Sequence, residues 1–436
     1  MKAIYRIIIA IFTTAAMAVS CSKEVVPGDE AATSDLRVIT FSFEDSAKSA
    51  LDGLTLKLCD GDRILLSNGI RKEECTVTVA DGKATVATRL EGILKAVFPA
   101  SAAELSGNDI TGIKVPSTQD GTFRGASIAT AHNIISGAVL QLQVSILKFY
   151  VDHSIDVRSI TVTSSGNNIA TEGSDLRQIT IGNGSRPLHE ITDDPQHRLC
   201  YGAVLPGVPA SSLKFTSVTG SQGTVERQSP ASTVTLARSK LYKAFIPYYV
   251  DLGTAGRWGY CNVGAFLPED FGTHFSWGNT VNDSGGKYSG SALPINATYD
   301  AAVKHWGSSW RMPTGNGGEF GVLVDKTNKG WEPLNGVNGY RFKNKSSDDI
   351  YVFFPATFES ATRGMYWSRN RRTGQTNTAS QLDFKASYVD PGRSHQSKFY
   401  RGRPIRAIYV GGTQSTGTPS VAPGDIGEGG TDDWYN

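Results

Sequence analysis

Apolar and polar side chains alternate in short runs from residue 37 onward, which is the pattern of half-buried β-strands. Residues 37–43, 75–79 and 83–87 are typical, because an apolar or small side chain occupies nearly every second position in each. Asp60-Gly61 and Asp81-Gly82 stand between such runs, where tight turns are expected. The pattern predicts many short strands and little helix.

A second series of alternating runs lies between residues 138 and 246, and it includes 138–146 and 213–216. Short strands separated by Gly-rich turns are typical of β-sandwiches. We therefore predict two sandwiches in tandem, over residues 36–147 and 148–247. Each is long enough to bury a core of its own.

The pattern changes at residue 248, where aromatic residues become frequent and six of the seven Trp fall between Trp258 and Trp367. Two short helices are predicted over 299–306 and 318–326, followed by further strands. Residues 248–410 are thus expected to form a mixed α+β unit. The segment that begins at residue 411 is rich in Gly, Ser, Thr and Pro. This composition predicts a flexible tail over residues 411–436.

The N-terminus carries the features of an export signal. Lys2 and Arg6 precede the apolar run 7–12, and small residues lead up to Cys21. This predicts a signal peptide over 1–20, too short for a membrane span. A small residue directly before Cys resembles the bacterial lipoprotein processing box, in which cleavage leaves a lipid on Cys21. The alternative is an ordinary secretory signal with an unmodified Cys21, and in both cases residues 21–35 form a tether.

Four further cysteines, Cys59, Cys75, Cys200 and Cys261, would lie in an oxidising compartment where disulfides persist. Four cysteines allow three pairings, and the sequence does not choose among them. Cys59 and Cys75 flank a hairpin-length stretch, which favours that pair.

Charge excludes one class of partner. The 43 basic and 41 acidic side chains leave a formal net charge of +2. A nucleic-acid-binding chain normally shows a clear basic excess, so nucleic acid is not expected as a partner.

Three segments follow one another in a recognisable order: the strand 139–146, the segment VLPG at 204–207 and the closing strand 234–242. On these segments, residues 36–247 resemble the fimbrillin family of Bacteroidota lipoproteins. The resemblance implies tandem β-sandwiches on a lipid anchor at the outer membrane, in pilus subunits, pilus anchors or tip adhesins. In the same phylum a short acceptor pattern for O-glycosylation is matched by Asp45-Ser46-Ala47, which makes Ser46 a candidate acceptor.

The Trp-rich part of the chain contains a series of short motifs. They are CNVG at 261–264, FSWG at 275–278, YDAA at 299–302, WRMPT at 310–314, NGVNGY at 335–340, YWS at 366–368 and RPIR at 403–406. On these motifs, residues 248–410 resemble the Fibrobacter succinogenes major paralogous domain, which is related in fold to C-type lectin-like and formylglycine-generating-enzyme-like modules. Family members usually carry a second Cys before the W…NGV segment, and this chain lacks it, so Cys261 either remains a thiol or pairs with Cys200.

Motifs for catalysis and metal binding are not found. The seven His are scattered, and neither a G-x-S-x-G elbow nor a P-loop is present. We predict no enzyme activity, no catalytic or metal-ligating residue and no cofactor. One aromatic and basic cluster in a predicted loop is a candidate ligand site, with a solvated loop around a buried Trp367 as the alternative. The cluster consists of Tyr366, Trp367, Arg369, Arg371 and Arg372.

Together these features predict a lipid-anchored protein of the outer membrane, at the cell surface or on a fimbria. Its expected role is that of a fimbria-associated or tip adhesin that binds host or community ligands, with other fimbrial subunits as candidate partners. The alternative is a glycan-binding lipoprotein of a nutrient-uptake system. The sequence names neither the ligand nor the state of assembly, and it leaves calcium and sugar binding open.

Overall fold

Short β-strands make up most of the regular structure of this protein, as the alternating pattern predicts. The computed structural model describes residues 36–44, 56–229, 232–281, 297–356, 360–371, 378–392, 396–398, 401–411 and 426–428. Cys21, Ser46 and Arg372 lie outside the described residues, as do the predicted signal peptide and tether. No helix among the described residues is long and apolar enough to cross a membrane.

An eight-stranded sheet forms the N-terminal part. Its strand order is β3-β2-β6-β10-β11-β1-β5-β4, with β1 parallel to β11 and antiparallel to β5. Side chains from both halves of the sheet, such as Ile64 of β2 and Val86 of β5, belong to one buried cluster, so the sheet folds over on itself. The strands of the eight-stranded sheet are β1 Arg37–Phe43, β2 Arg63–Ser67, β3 Lys72–Thr76, β4 Thr78–Ala80, β5 Lys83–Thr88, β6 Leu94–Phe98, β10 Ala129–Ile134 and β11 Gly137–Leu142. Between β6 and β10 the chain forms a separate two-stranded sheet, β7 Ala103–Ser106 and β8 Asp109–Ile113, and the short strand β9 Thr118–Gln119.

Two further sheets follow, in the orders β17-β16-β13-β14-β9 and β15-β12-β18-β30. β12 crosses the boundary predicted at 147/148, and β9 joins this second set although it precedes that boundary. The strands of this part are β12 Ser145–Tyr150, β13 Val157–Ser164, β14 Gln178–Ile181, β15 Leu199–Val204, β16 Leu213–Thr219, β17 Gly223–Gln228 and β18 Leu241–Ala244, with a short helix Leu188–Ile191.

The C-terminal part combines small sheets with the two predicted helices, which are confirmed as Ala301–Trp306 and Glu319–Lys326. The Asp300 carboxylate caps the first helix by accepting hydrogen bonds from the N–H groups of Ala302 and Val303. The strands are β19 Tyr249–Asp251, β20 Arg257–Gly259, β21 Trp310–Arg311, β22 Asn328–Trp331, β23 Gly339–Asn344, β24 Ser347–Pro355, β25 Gly364–Arg371, β26 Thr378–Lys385, β27 Tyr388–Asp390, β28 Gln396–Lys398, β29 Ile408–Tyr409 and β30 Ile426–Glu428.

β30 comes from the segment predicted as a flexible tail, and it pairs antiparallel with β18. The pairs are Tyr242 with Glu428, Lys243 with Gly427 and Ala244 with Ile426. At these three residues the tail therefore differs from the prediction, because an open sheet edge offers backbone groups for pairing.

One buried cluster runs from Leu147 in β12 to Ile408 in β29. The break predicted at 247/248 is therefore a change of composition and not a break in packing. A third cluster joins the eight-stranded sheet to the second part and includes Val97 of β6, Ile146 of β12 and Tyr201 of β15. The chain from Arg37 onward forms one compact unit.

Candidate functional site

The end of β25 carries the described arginines of the predicted ligand cluster, Arg369 and Arg371, which are both half-buried. We call these two residues the basic strand end. The β25–β26 register passes from Trp367 opposite Gln381 to Arg371 opposite Ala379, so the strand bulges between them. Bulges re-aim side chains and are frequent next to functional sites.

Neighbouring backbone holds the bulge in place. The N–H of Arg369 donates to the carbonyl of Pro313 at 2.8 Å, and the Asn370 Oδ1 accepts from the N–H of Gly315 at 2.9 Å. The Ser368 hydroxyl donates to the carbonyl of Ser380 at 2.9 Å. The strand end is thus fixed both to β26 and to the turn that precedes the helix Glu319–Lys326.

Glu319 organises that turn. Its carboxylate accepts from the N–H of Thr314 at 2.7 Å and forms an ion pair with Arg311. Burial raises the pKa of Glu319, but the hydrogen bonds from Arg311 and Thr314 outweigh this and lower it to about 2. The first residue of the helix is therefore a carboxylate at neutral pH, which also suits the helix dipole.

The prediction that Tyr366 and Trp367 bind a ligand is contradicted by their burial. Both are 0% exposed and belong to the buried cluster. The Tyr366 hydroxyl donates to the carbonyl of Pro355 at 2.8 Å, and the Trp367 Nε1 donates to the carbonyl of Phe275 at 2.7 Å. Aromatic faces that pack in the core cannot stack on a sugar, so among the described residues of the predicted cluster the two arginines are what remains. Trp367 is buried, as in the alternative prediction, but it lies in strand β25 and not in a solvated loop.

The predicted Cys59–Cys75 disulfide is also wrong. The structure has both as free thiols, Cys59 exposed and Cys75 buried in β3. The Cys59 Sγ accepts a hydrogen bond from Arg124 Nη1 at 3.2 Å, whereas burial raises the pKa of Cys75 to about 12. The two thiols lie in different environments, one at the surface and one in the core. Their spacing in the sequence does not contain this information.

A second polar group, missed from the sequence, joins the second part of the chain to the C-terminal part. Arg198 and Glu269 form a bidentate ion pair, with Nη2–Oε2 at 2.7 Å and Nη1–Oε1 at 3.0 Å, and each side chain is only 10% exposed. The Asn335 amide donates to Glu269 Oε1 at 2.6 Å. Burial raises the pKa of Glu269, but the hydrogen bonds from Arg198 and Asn335 prevail and lower it.

Aromatic contacts surround this ion pair. The Arg198 guanidinium lies over the Tyr150 ring at 5.4 Å, and Tyr150 stacks on Tyr260 with ring centroids 4.6 Å apart and planes 7° apart. Tyr150 and Arg198 belong to the second part and Tyr260 and Glu269 to the C-terminal part. We call these four residues the junction.

The chemistry available at the basic strand end is hydrogen-bond donation from guanidinium groups. Such groups match the geometry of carboxylate, sulfate and phosphate oxygens. Among the residues that the structure describes, no group of three or more His, Cys, Asp or Glu could hold a metal ion.

No protein-family model matches this chain, and no curated protein matches it. Similar solved structures include a "putative cell adhesion protein" from Bacteroides uniformis, with 13% identity over 48% of this chain and 90% of that chain at a TM-score of 0.30. Another protein so described, from Bacteroides ovatus, has 12% identity over 49% of this chain and 91% of that chain, also at 0.30. The tip fimbrial protein Mfa3 from Porphyromonas gingivalis has 8% identity over 48% and 94%, at 0.22. TM-scores this low do not establish a shared fold, so the family resemblances remain predictions.

Proposed function

We propose that this protein is a fimbrillin-like adhesion protein of the cell surface, anchored by a lipid on Cys21, which contacts acidic ligands through the basic strand end. The observation that supports this most is the junction. An adhesion protein has to transmit force from a bound ligand to its anchor, and a flexible linker between binding unit and stalk would let the ligand site move independently.

The junction is built in the opposite way. A bidentate ion pair, a stacked pair of tyrosines and a shared core connect the C-terminal part to the second part. The basic strand end is thereby presented on a packed scaffold, which is how binding residues are usually positioned.

The adhesion proposal is tested with cells that display the full chain, on an array of sulfated, sialylated and neutral glycans. Arg369→Ala/Arg371→Ala is expected to lower binding to acidic glycans by about tenfold or more, because two charge-assisted contacts are lost. The matched control is Arg177→Ala/Arg186→Ala, which removes two exposed arginines from the second part. Unchanged binding by the Arg369/Arg371 variant, or no binding by cells that display the unmodified chain, contradicts the proposed site.

The anchor is tested by metabolic labelling with a fatty acid. We expect label on the unmodified chain and none on Cys21→Ser, and equal label on both would contradict a lipid on Cys21. A predominance of neutral-glycan binding that does not depend on the arginines would instead favour the nutrient-capture role.

A further inference from the structure

Three isoleucines are the most exposed large hydrophobic residues that the structure describes from Arg37 onward. Ile70, Ile135 and Ile93 are exposed to 77%, 68% and 62%. Single exposed aliphatic residues are ordinary, but a group of them at one place marks an interaction surface.

The sheet topology places all three at one end of the eight-stranded sheet. Ile70 follows the end of β2, Ile93 precedes the start of β6, and Ile135 lies between β10 and β11. Pairing of Ser67 with Lys95 and of Leu94 with Ile134 puts those strand ends side by side. We call this surface the aliphatic end.

Hydrogen bonds fix two of the three loops to one another. Arg37, the first residue of β1, donates through its guanidinium to the carbonyl of Gly92 at 2.8 Å, to that of Ile134 at 3.2 Å, and to that of Ile135. The isoleucines on these loops, Ile93 and Ile135, are therefore held next to the point where the chain enters β1.

The third loop is tied down by asparagines. The Asn68 amide donates to the carbonyl of Glu91 at 3.1 Å, which links this loop to the one that carries Ile93. The Asn108 amide donates to the carbonyl of Ile70 at 2.6 Å. The backbone below each isoleucine is thus held in place, and the exposure of the side chains does not come from loose loops.

The charges nearby favour a lipid surface. Arg71, Lys72 and Arg89 are exposed cations on these loops and at the start of β3. Three anions lie at the same end: Glu91, which is exposed, Asp109, which is paired with Lys95, and Glu73, which accepts from the N–H of Arg89. Aliphatic side chains that enter the acyl boundary, ringed by cations that meet anionic headgroups, are the features of interfacial membrane binding.

We propose that the aliphatic end docks on the lipid bilayer to which the chain is anchored. The inference rests on the proposed lipid at Cys21, because only fifteen residues lie between Cys21 and Arg37. A segment of that length reaches at most about 55 Å when extended, at ~3.3–3.6 Å per residue. Arg37, and with it the aliphatic end, therefore stays within about that distance of a lipid on Cys21.

The test uses the processed chain with Cys21→Ser, which has neither signal peptide nor lipid, in flotation with vesicles of phosphatidylethanolamine and phosphatidylglycerol. We expect Ile70→Ser/Ile93→Ser/Ile135→Ser to lower the vesicle partition coefficient by about tenfold or more. The reason is that the variant lacks the apolar side-chain area that enters the bilayer interface. The control Val218→Ser/Val281→Ser/Val410→Ser changes three other exposed aliphatic residues and is expected to alter it by less than about twofold. Both variants should keep the unfolding midpoint, since none of the six side chains is buried.

The proposal is overturned if the isoleucine variant and its parent partition equally into the vesicles. It is also overturned if neither of them partitions. Loss of self-association in sedimentation with no change in lipid partition overturns it too, because the occupant would then be a second copy of the chain. Adhesion and acylation are not measured in this experiment, so its failure is separate from a failure of the proposed function.

Discussion

Single polar side chains hold this protein together at places where strands and helices meet. Asp300 is almost fully buried, caps the helix Ala301–Trp306 and also accepts from the N–H of Met312 at 3.0 Å. Glu319 does the same for the turn before the next helix. The Asp300 carboxylate accepts from the backbone N–H groups of Ala302, Val303 and Met312, and the Glu319 carboxylate from that of Thr314.

Glu319 should make stability depend on acid. Its pKa is lowered from 4.5 to about 2, so its contribution is complete above the unfolded value near 4.5 and is lost as the pH falls towards 2. We expect Glu319→Gln to unfold more easily than the parent at neutral pH and to lose less stability between pH 4.5 and 2. Thermal unfolding at several pH values between 2 and 7 measures this dependence of stability on pH. Glu172→Gln, at an exposed carboxylate, is the control. If the unfolding midpoints of the parent and of Glu319→Gln change with pH in parallel, the predicted role of the Glu319 carboxylate is wrong.

The junction ion pair gives a second prediction at the residue scale. Glu269→Gln leaves the buried Arg198 without its carboxylate and is expected to cost about 3 kcal/mol or more. Arg198→Met/Glu269→Leu removes both charges and should recover much of that loss. Chemical denaturation measures the three proteins, and a double variant less stable than Glu269→Gln would contradict the assignment.

At the scale of elements, β-strand edges account for the features that the alternating pattern leaves out. β25 bulges at its end, where the two half-buried arginines lie. β18 pairs with β12 on one side and with β30 on the other. Without β30 the backbone groups of β18 on that side would lack strand partners.

Truncation after Gly411 tests the role of β30. We expect faster amide hydrogen exchange in the peptide that contains residues 241–244, because the ladder on that side is lost. Exchange in β13, which lies in the other sheet of the same part, should stay unchanged and serves as the internal control. Equal protection of β18 in both proteins would show that β30 does not pair with it in solution.

At the scale of the whole molecule, the continuous core makes the second and C-terminal parts interdependent. Phe245 packs against both Tyr260 and Trp306, with ring centroids 6.0 and 5.4 Å apart, and the Tyr248 hydroxyl donates to Ser217 at 2.9 Å. All three contacts cross the position where the sequence predicts a domain boundary.

We therefore expect these two parts to unfold in one transition. Tyr260→Ala removes a buried ring that stacks on Tyr150, and it should destabilise by about 3–5 kcal/mol, as large-to-small core changes do. Hydrogen exchange or calorimetry should show β13 and β26 destabilised together. If Tyr260→Ala destabilises only the C-terminal part and leaves β13 unaffected, the two parts are independent domains.

Local pattern was sufficient for much of the fold. Alternation predicted β1 and β5, and Asp81-Gly82 predicted the turn between β4 and β5, where both residues have positive φ. The two short helices followed from their start signals. These features depend on a few neighbouring residues, so one sequence contains the information that they need.

Contacts between distant residues could not be predicted in this way. Arg198 and Glu269 are 71 positions apart, and neither lies in a motif that names the other. The sequence predicts a loop at Tyr366 and Trp367, but β25 is buried on both faces there, so alternation no longer separates core from surface. The aromatic half of the candidate site was lost for that reason, while the arginines stayed accessible where the strand bulges. Burial depends on what packs against a strand, and that partner is set by the folding of the whole chain.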